Sequence, residues 1–142
     1  MFNLLHEVGH GIDVIVTSNS HVHIYLIMKG EDNKENSNFG RLHFHIRWSY
    51  IGDVYLDTEL DKRLKVIALA GGSLMSLLLA FFLGFISLTV SQDQLRLLSD
   101  WTASFNLIQF IITIIPITYP RWMKGYNGLA SDGLQLLQIF KG

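Results

Sequence analysis

KVIALAGGSLMSLLLAFFLGFISLTV, residues 65–90, carries no charge after its first lysine. It is longer than the roughly 20 apolar residues that cover the hydrocarbon core of a bilayer as a helix, and so predicts a transmembrane helix over residues 65–90. A second uncharged run, WTASFNLIQFIITIIPITY (residues 101–119), has Trp and Tyr at its ends, as at a membrane interface, and holds Pro116 near its end. It predicts a second span over residues 101–120, broken at Pro116, where the ring removes a backbone donor. With 142 residues the chain forms one domain, too short to wrap two such helices on every side. The expected fold class is a mostly α polytopic membrane protein.

Upstream of the first span the period changes from helical to alternating. In HVHIYLIM (residues 21–28), Val22, Ile24, Leu26 and Met28 share one face, with His21, His23 and Tyr25 opposite. RLHFHIRW (residues 41–48) repeats the pattern, with Leu42, Phe44, Ile46 and Trp48 against Arg41, His43, His45 and Arg47. The polar stretch between them reads as a loop, so the expectation is an inserted β-hairpin over residues 20–49. Its four histidines read as an ordinary solvated strand face rather than a second metal site.

The bulk numbers remove several function classes. A formal net charge of −1 and a pI near 6.6 give no basis for binding nucleic acid. The absence of cysteine excludes disulfides, thiolate catalysis and Cys-ligated metals, leaving histidine and carboxylates as the metal ligands available. Mean hydropathy is +0.30, and the apolar residues are concentrated in the two runs. Lys62, Arg63 and Lys65 precede the first span and Arg121 and Lys124 follow the second, while the connection holds only Arg96. That asymmetry predicts that the hairpin and the C-terminal tail lie on the cytoplasmic side.

The chemistry is concentrated in FNLLHEVGHGIDVIV (residues 2–16), an apolar helical run containing two histidines and a glutamate. Buried ionisable groups are costly without partners. In HEVGH, His6 and His10 stand four residues apart on one helix face, where both imidazoles can reach one ion. Glu7, rotated by about 100°, projects beside that ion as a general base. A hydrolytic zinc site also needs a third ligand and an open position for water. Asp13 lies one turn beyond His10, where it can support a histidine or cap the chain. Asp53 and Asp57 sit in a polar stretch. Asp132 opens SDGLQLLQIF at the start of a C-terminal helix over residues 131–141, where the helix dipole favours a carboxylate, and is the expected third ligand. Capping by Ser131 or Asp132 is compatible with that role. Ala68, Gly72, Ser76, Ala80 and Gly84 recur every four residues in the first span, so a neighbouring helix can approach closely. The metal-bearing helix over residues 1–17 carries Gly9 and Gly11 and is the expected neighbour.

The ordered set of HEVGH on an apolar helix, a β-hairpin, the residue 65–90 span and a late SDG resembles the site-2 protease family of intramembrane zinc metalloproteases. The resemblance extends over nearly the whole chain. It implies a single membrane-embedded metalloprotease domain over residues 1–142, with His6, His10 and Asp132 on Zn2+ and Glu7 as catalytic base. The implied substrate is a membrane-anchored protein or peptide precursor, unwound and received by strand addition at the hairpin edge around Leu26, Met28 and Phe44. The chain departs from the family in having Ala70-Gly71-Gly72 where Ala-Gly-Pro is common, and in lacking Asn-Leu-x-Pro shortly before Asp132. Asn106 and Asn127 are the candidates for the substrate-holding amide. With five residues ahead of His6, the opening helix is too short to span, and the natural chain is expected to continue upstream. The alternatives are a catalytically silent membrane scaffold keeping this fold, or a soluble metalloprotease with a remote ligand such as Glu31 or Glu35.

Overall fold

The computed structural model describes residues 2–26, 34–46, 52–56, 61–123, 126 and 128–141. The described part is mostly helical, with a small sheet between the first two helices: α1 (Phe2–Thr17), β1 (Val22–Leu26), β2 (Ser37–Phe39), β3 (Leu42–Ile46), β4 (Gly52–Leu56), α2 (Lys62–Thr89), α3 (Asp93–Ile114) and α4 (Asp132–Lys141). Both α2 and α3 are long and apolar enough to cross a bilayer.

The sheet corrects the expected hairpin. β1 and β3 run parallel, Val22 opposite Leu42 through Leu26 opposite Ile46, and the strand order is β2-β3-β1-β4. Alternation of apolar and polar residues is the same for either strand direction, so it determined the faces and not the sense. The segment between β1 and β3 is long enough for the crossover that parallel strands need. The tight hairpin lies inside that segment, where β2 pairs antiparallel with β3 across Gly40, whose φ of 62° suits a two-residue turn. β4 pairs antiparallel with β1 on its other side. Because β1 is interior, Leu26 is not on a receiving edge; Met28 lies outside the described residues.

The inner sheet face and α1 form the core: Val14, Val22, Ile24 and Leu42 are buried together, with Val8, Ile15 and Phe44 packed around them. Each such aliphatic side chain contributes about 1.5–3 kcal/mol on leaving water. Arg41 ties sheet to helix by donating to the carbonyls of Ile15 (2.7 Å) and Ser18, the acceptors left unpaired where α1 ends.

α1 is held on its other side by α2. An ideal Cβ on Gly9 would sit 2.6 Å from both the Gly71 carbonyl oxygen and the Met75 Cβ, and one on Gly72 would fall on the His10 imidazole. Small residues therefore matter where α1 crosses α2. Gly84, on the same stripe, would place its Cβ with nothing within 4 Å among the described residues, so no close neighbour uses the stripe at that position.

The second long helix also differs from expectation. α3 starts at Asp93, eight residues before the predicted span, and ends at Ile114, not at residue 120. Its first two turns carry Asp93, Arg96 and Asp100, polar residues that excluded them from an apolar run without preventing a helix; Arg96 pairs with Asp93 at 3.2 Å. The helix stops because Ile115, preceding Pro116, is extended (ψ 127°). Beyond it, Tyr119 and Leu129 are hydrogen-bonded at 2.9 Å, and Thr118 bridges Ala130, closing a loop that leads into α4.

Gly9→Ala is expected to lower stability by about 1–3 kcal/mol, the usual cost of overpacking a close contact, read as a fall in thermal midpoint in detergent. Gly84→Ala is expected to leave the midpoint unchanged or raise it, since a helical glycine with open space for a methyl group is replaced by a better helix former.

Candidate metal centre

Three elements converge on one point. α1 presents His6 and His10 from successive turns, α4 presents Asp132 from its first turn, and α2 backs all three. His6 Nε2 and His10 Nε2 are 3.2 Å apart, and Asp132 Oδ2 lies 3.4 Å from the first and 3.5 Å from the second. Two ligands bound to a tetrahedral ion at 2.0–2.1 Å are about 3.3 Å apart, so this near-equilateral triangle has a point about 2 Å from every corner. Among the described residues, this is the group of three that can hold a metal ion.

The outward nitrogens of both histidines are already engaged. His10 Nδ1 lies 2.7 Å from the Ala68 carbonyl oxygen, and His6 Nδ1 lies 2.9 Å from Ser76 Oγ. The Gly72 N–H also approaches His10 Nδ1, at 3.3 Å, but the shorter contact to a carbonyl requires that this nitrogen donate. The carbonyl thereby assigns His10 the tautomer that leaves Nε2 with a lone pair toward the triangle, and Ser76 Oγ, able to accept from Nδ1, supports the same form of His6, the usual arrangement behind metal-binding histidines. Burial pushes the His10 imidazole below its ordinary pKa against the pull of the Asp132 carboxylate, which favours the neutral, ligating form.

Capping and ligation are divided between neighbours. Ser131 Oγ accepts from Leu134 N at 3.2 Å, capping α4, accepts from Ile117 N at 3.1 Å, and donates to the Ile115 carbonyl at 2.6 Å. Asp132 is therefore free of capping duty and faces the imidazoles, steadied by Ser73 Oγ at 3.3 Å. Ser73 in turn lies 3.1 Å from Thr113 Oγ1 on α3. A Cβ at Gly133 would run into the Ile114 carbonyl group, so the glycine after Asp132 lets α4 start against the end of α3. Asp13 approaches Gly71 on α2, and burial raises its carboxyl pKa despite His10 nearby.

The triangle opens into a cavity of about 1070 Å³ bounded by all four helices, β4 and the loop before α4. Glu7, itself buried, lines it alongside His6 and His10, as do Gln109, Gln135, Tyr119 and Tyr126. Tyr119 gave no signal in the sequence beyond an aromatic belt position, yet it faces the same space. Burial, with added repulsion from Asp132, Tyr126 and Glu7, pushes its phenol up to about 12, so it stays a hydrogen-bond donor. Asn106 does not reach the cavity. It is buried in α3, and its Nδ2 donates to the Thr102 carbonyl at 2.8 Å. A helical amide can satisfy itself on the preceding turn in this way, which a residue type alone does not reveal. Asn127 lies outside the described residues. No protein-family model matches this chain, and no curated protein or solved structure matches it.

Removing the serine behind His6 is expected to weaken metal binding without abolishing it: Ser76→Ala lowers affinity about 10- to 100-fold in equilibrium dialysis against Zn2+, whereas Asp132→Asn or His10→Ala reduces bound metal to background.

Proposed function

We propose that the chain is an intramembrane zinc metalloendopeptidase of the site-2 protease type, hydrolysing a peptide bond in or near a membrane-spanning segment of an anchored protein or peptide precursor. The observation that carries this reading is the juxtaposition of a ligand triangle of zinc dimensions with the Glu7 carboxylate in one large, mostly apolar cavity. Two imidazoles and one carboxylate suit zinc and leave a coordination position for substrate or water. Zinc, when bound there, supplies a Lewis acid that acidifies water and polarises a carbonyl.

The chain's own residues divide the remaining work. Glu7, one position along α1 from His6, takes the proton of the attacking water and returns it to the departing amine. Tyr119, held protonated, donates a hydrogen bond to the oxygen on which negative charge develops. Apolar side chains such as Phe105, Ile108 and Ile112 line the space and accept the side chains of an apolar substrate. β4, the outer strand beside β1, contributes Val54 to the same cavity, so a substrate extended along it would lie next to the ligands.

Depth supports a location inside the membrane. Ser73, which touches Asp132, follows Lys65 by eight residues, about 12 Å along the helix axis. With α2 spanning, that puts the triangle below the headgroups and well inside a hydrocarbon core about 30 Å thick. The short connection between α2 and α3 makes them antiparallel, so the cationic end of α2 and the loop before α4 share one side, which the lysine and arginine distribution assigns to the cytoplasm.

Glu7→Gln is expected to retain zinc while losing peptide-bond cleavage by at least about 10²-fold, assayed on a membrane-anchored reporter with purified protein in detergent. Full cleavage by this variant, or by wild type after metal is stripped with a chelator, would overturn the proposal.

A further inference from the structure

The outer face of the sheet carries a cluster that the proposed protease does not use. His21, His43, His23, His45 and Tyr25 interleave into one continuous ladder across the parallel β1–β3 pair. His21 Nδ1 meets His43 Nε2 at 2.9 Å, and His23 Nδ1 meets His45 Nε2 at 3.2 Å. Between these pairs the His23 and His43 rings stack at 4.6 Å, and Tyr25 stacks on His45 at 4.2 Å. Both His–His contacts use the same two atoms and the same diagonal of the register, in which His23 is opposite His43. A face of separately hydrated histidines would show neither the repeat nor the burial of His45 and Tyr25.

Glu35 gives the ladder a direction. Its Oε2 lies 2.9 Å from His43 Nδ1 and its Oε1 accepts from Asn38 Nδ2 at 2.7 Å. A carboxylate oxygen accepts from an imidazole N–H, and the bond from Asn38 fixes this one against the ring. His43 must therefore carry its proton on Nδ1 and present a lone pair on Nε2, toward His21. A carboxylate behind one histidine, with a second imidazole nitrogen in front of it, is the usual surrounding of a metal-binding histidine. At bond lengths of 2.0–2.1 Å, adjacent ligands lie about 2.9 Å apart at a right angle and about 3.3 Å apart in a tetrahedron, a range that contains both pairs.

We infer that this imidazole ladder is a second metal site, in which His21 Nδ1 and His43 Nε2 chelate a nitrogen-preferring divalent ion of the Zn2+, Ni2+ or Cu2+ class. Neutral imidazoles select these ions over Mg2+ and Ca2+, which take oxygen ligands. His21 is exposed, so water completes the coordination. In the metal-free form the His21 Nδ1–H is donated to His43 Nε2; when the ion takes its place, His21 adopts the other neutral tautomer, its proton moving to the exposed Nε2 through solvent.

The test uses the full chain in detergent with His6→Ala and His10→Ala, which silence the centre described above. Cu2+ added to this variant is expected to give an electron paramagnetic resonance spectrum split by imidazole nitrogens, and Zn2+ is expected to be retained on dialysis. Adding His21→Asn and His43→Asn removes both signals, and Glu35→Gln, on the surface, weakens Zn2+ binding about 10- to 100-fold. Absence of nitrogen splitting in the variant with the ladder intact would overturn the inference, as would splitting and retention unchanged by the His21 and His43 substitutions. Conversely, wild type carrying only His21→Asn and His43→Asn keeps the metal of the first centre, so loss of one site is told apart from loss of the other.

Discussion

Two imidazoles and a carboxylate lie within 3.5 Å of one another in an apolar helical bundle, and much of the surrounding structure follows from that contact. Buried polar groups at such density are stable only when each atom has a partner. The partners come from the helix against which α1 lies: the Ala68 carbonyl for His10, Ser76 for His6 and Ser73 for Asp132. Side chains as short as serine reach across only if the helix backbones nearly touch, which explains glycine on both sides of the crossing at Gly9, Gly71 and Gly72. Polar satisfaction and close packing are thus one requirement met by one set of residues.

The readable and unreadable parts of the sequence divide along the same line. Local periodicity marks α1 and α2, because a helical spacing of four residues both aligns His6 with His10 and spaces the small residues of the stripe. Asp132 is legible for a local reason, its place at a helix start, although the sequence left capping and ligation undivided between Ser131 and Asp132. What could not be read depends on contacts distant in the chain. The alternation in β1 and β3 is indifferent to strand direction, so their parallel pairing was hidden. Hydropathy locates the apolar part of α3 and misses its two polar turns, where Ser87 on α2 bonds Asp100 and extends the helix pair. Tyr119 reaches the cavity only because the chain after Pro116 turns back through the Thr118–Ala130 bridge, and nothing local to Tyr119 reveals that.

The two histidine clusters, one on each side of α1 and its sheet, use the same geometry in different surroundings. At the helix crossing, the nitrogens behind the ring are held by a carbonyl and a hydroxyl of another helix, and the ligand nitrogens converge with a carboxylate. On the sheet, strand register does the aligning, and Glu35 takes the place of the carbonyl behind one ring. The helical site is shielded and three-sided; the strand site is open at His21. Ligand number and access therefore differ even though the imidazole separations, 3.2 Å in one and 2.9 and 3.2 Å in the other, are nearly equal.

Helix length explains why the cavity lies where it does. α2 and α3, with 28 and 22 residues, extend about 42 and 33 Å, whereas α1 and α4, with 16 and 10, extend about 24 and 15 Å. Two tall helices packed against two short ones leave unfilled space at one end, and the sheet and the loop before α4 border that space. Irregular backbone cannot face lipid, because its donors and acceptors find no partners there, but it can line a water-accessible cavity. The far half of the helix pair is different: Phe81, Phe82, Phe85 and Leu88 point outward, Leu88 with 87% of its surface exposed. An apolar surface of that extent would drive association in water and is satisfied by hydrocarbon. The bundle is thus asymmetric along its axis, with an apolar exterior at one end and polar backbone, ligands and cavity at the other. That asymmetry suits the proposed reading, in which water would reach the ligands from one side only.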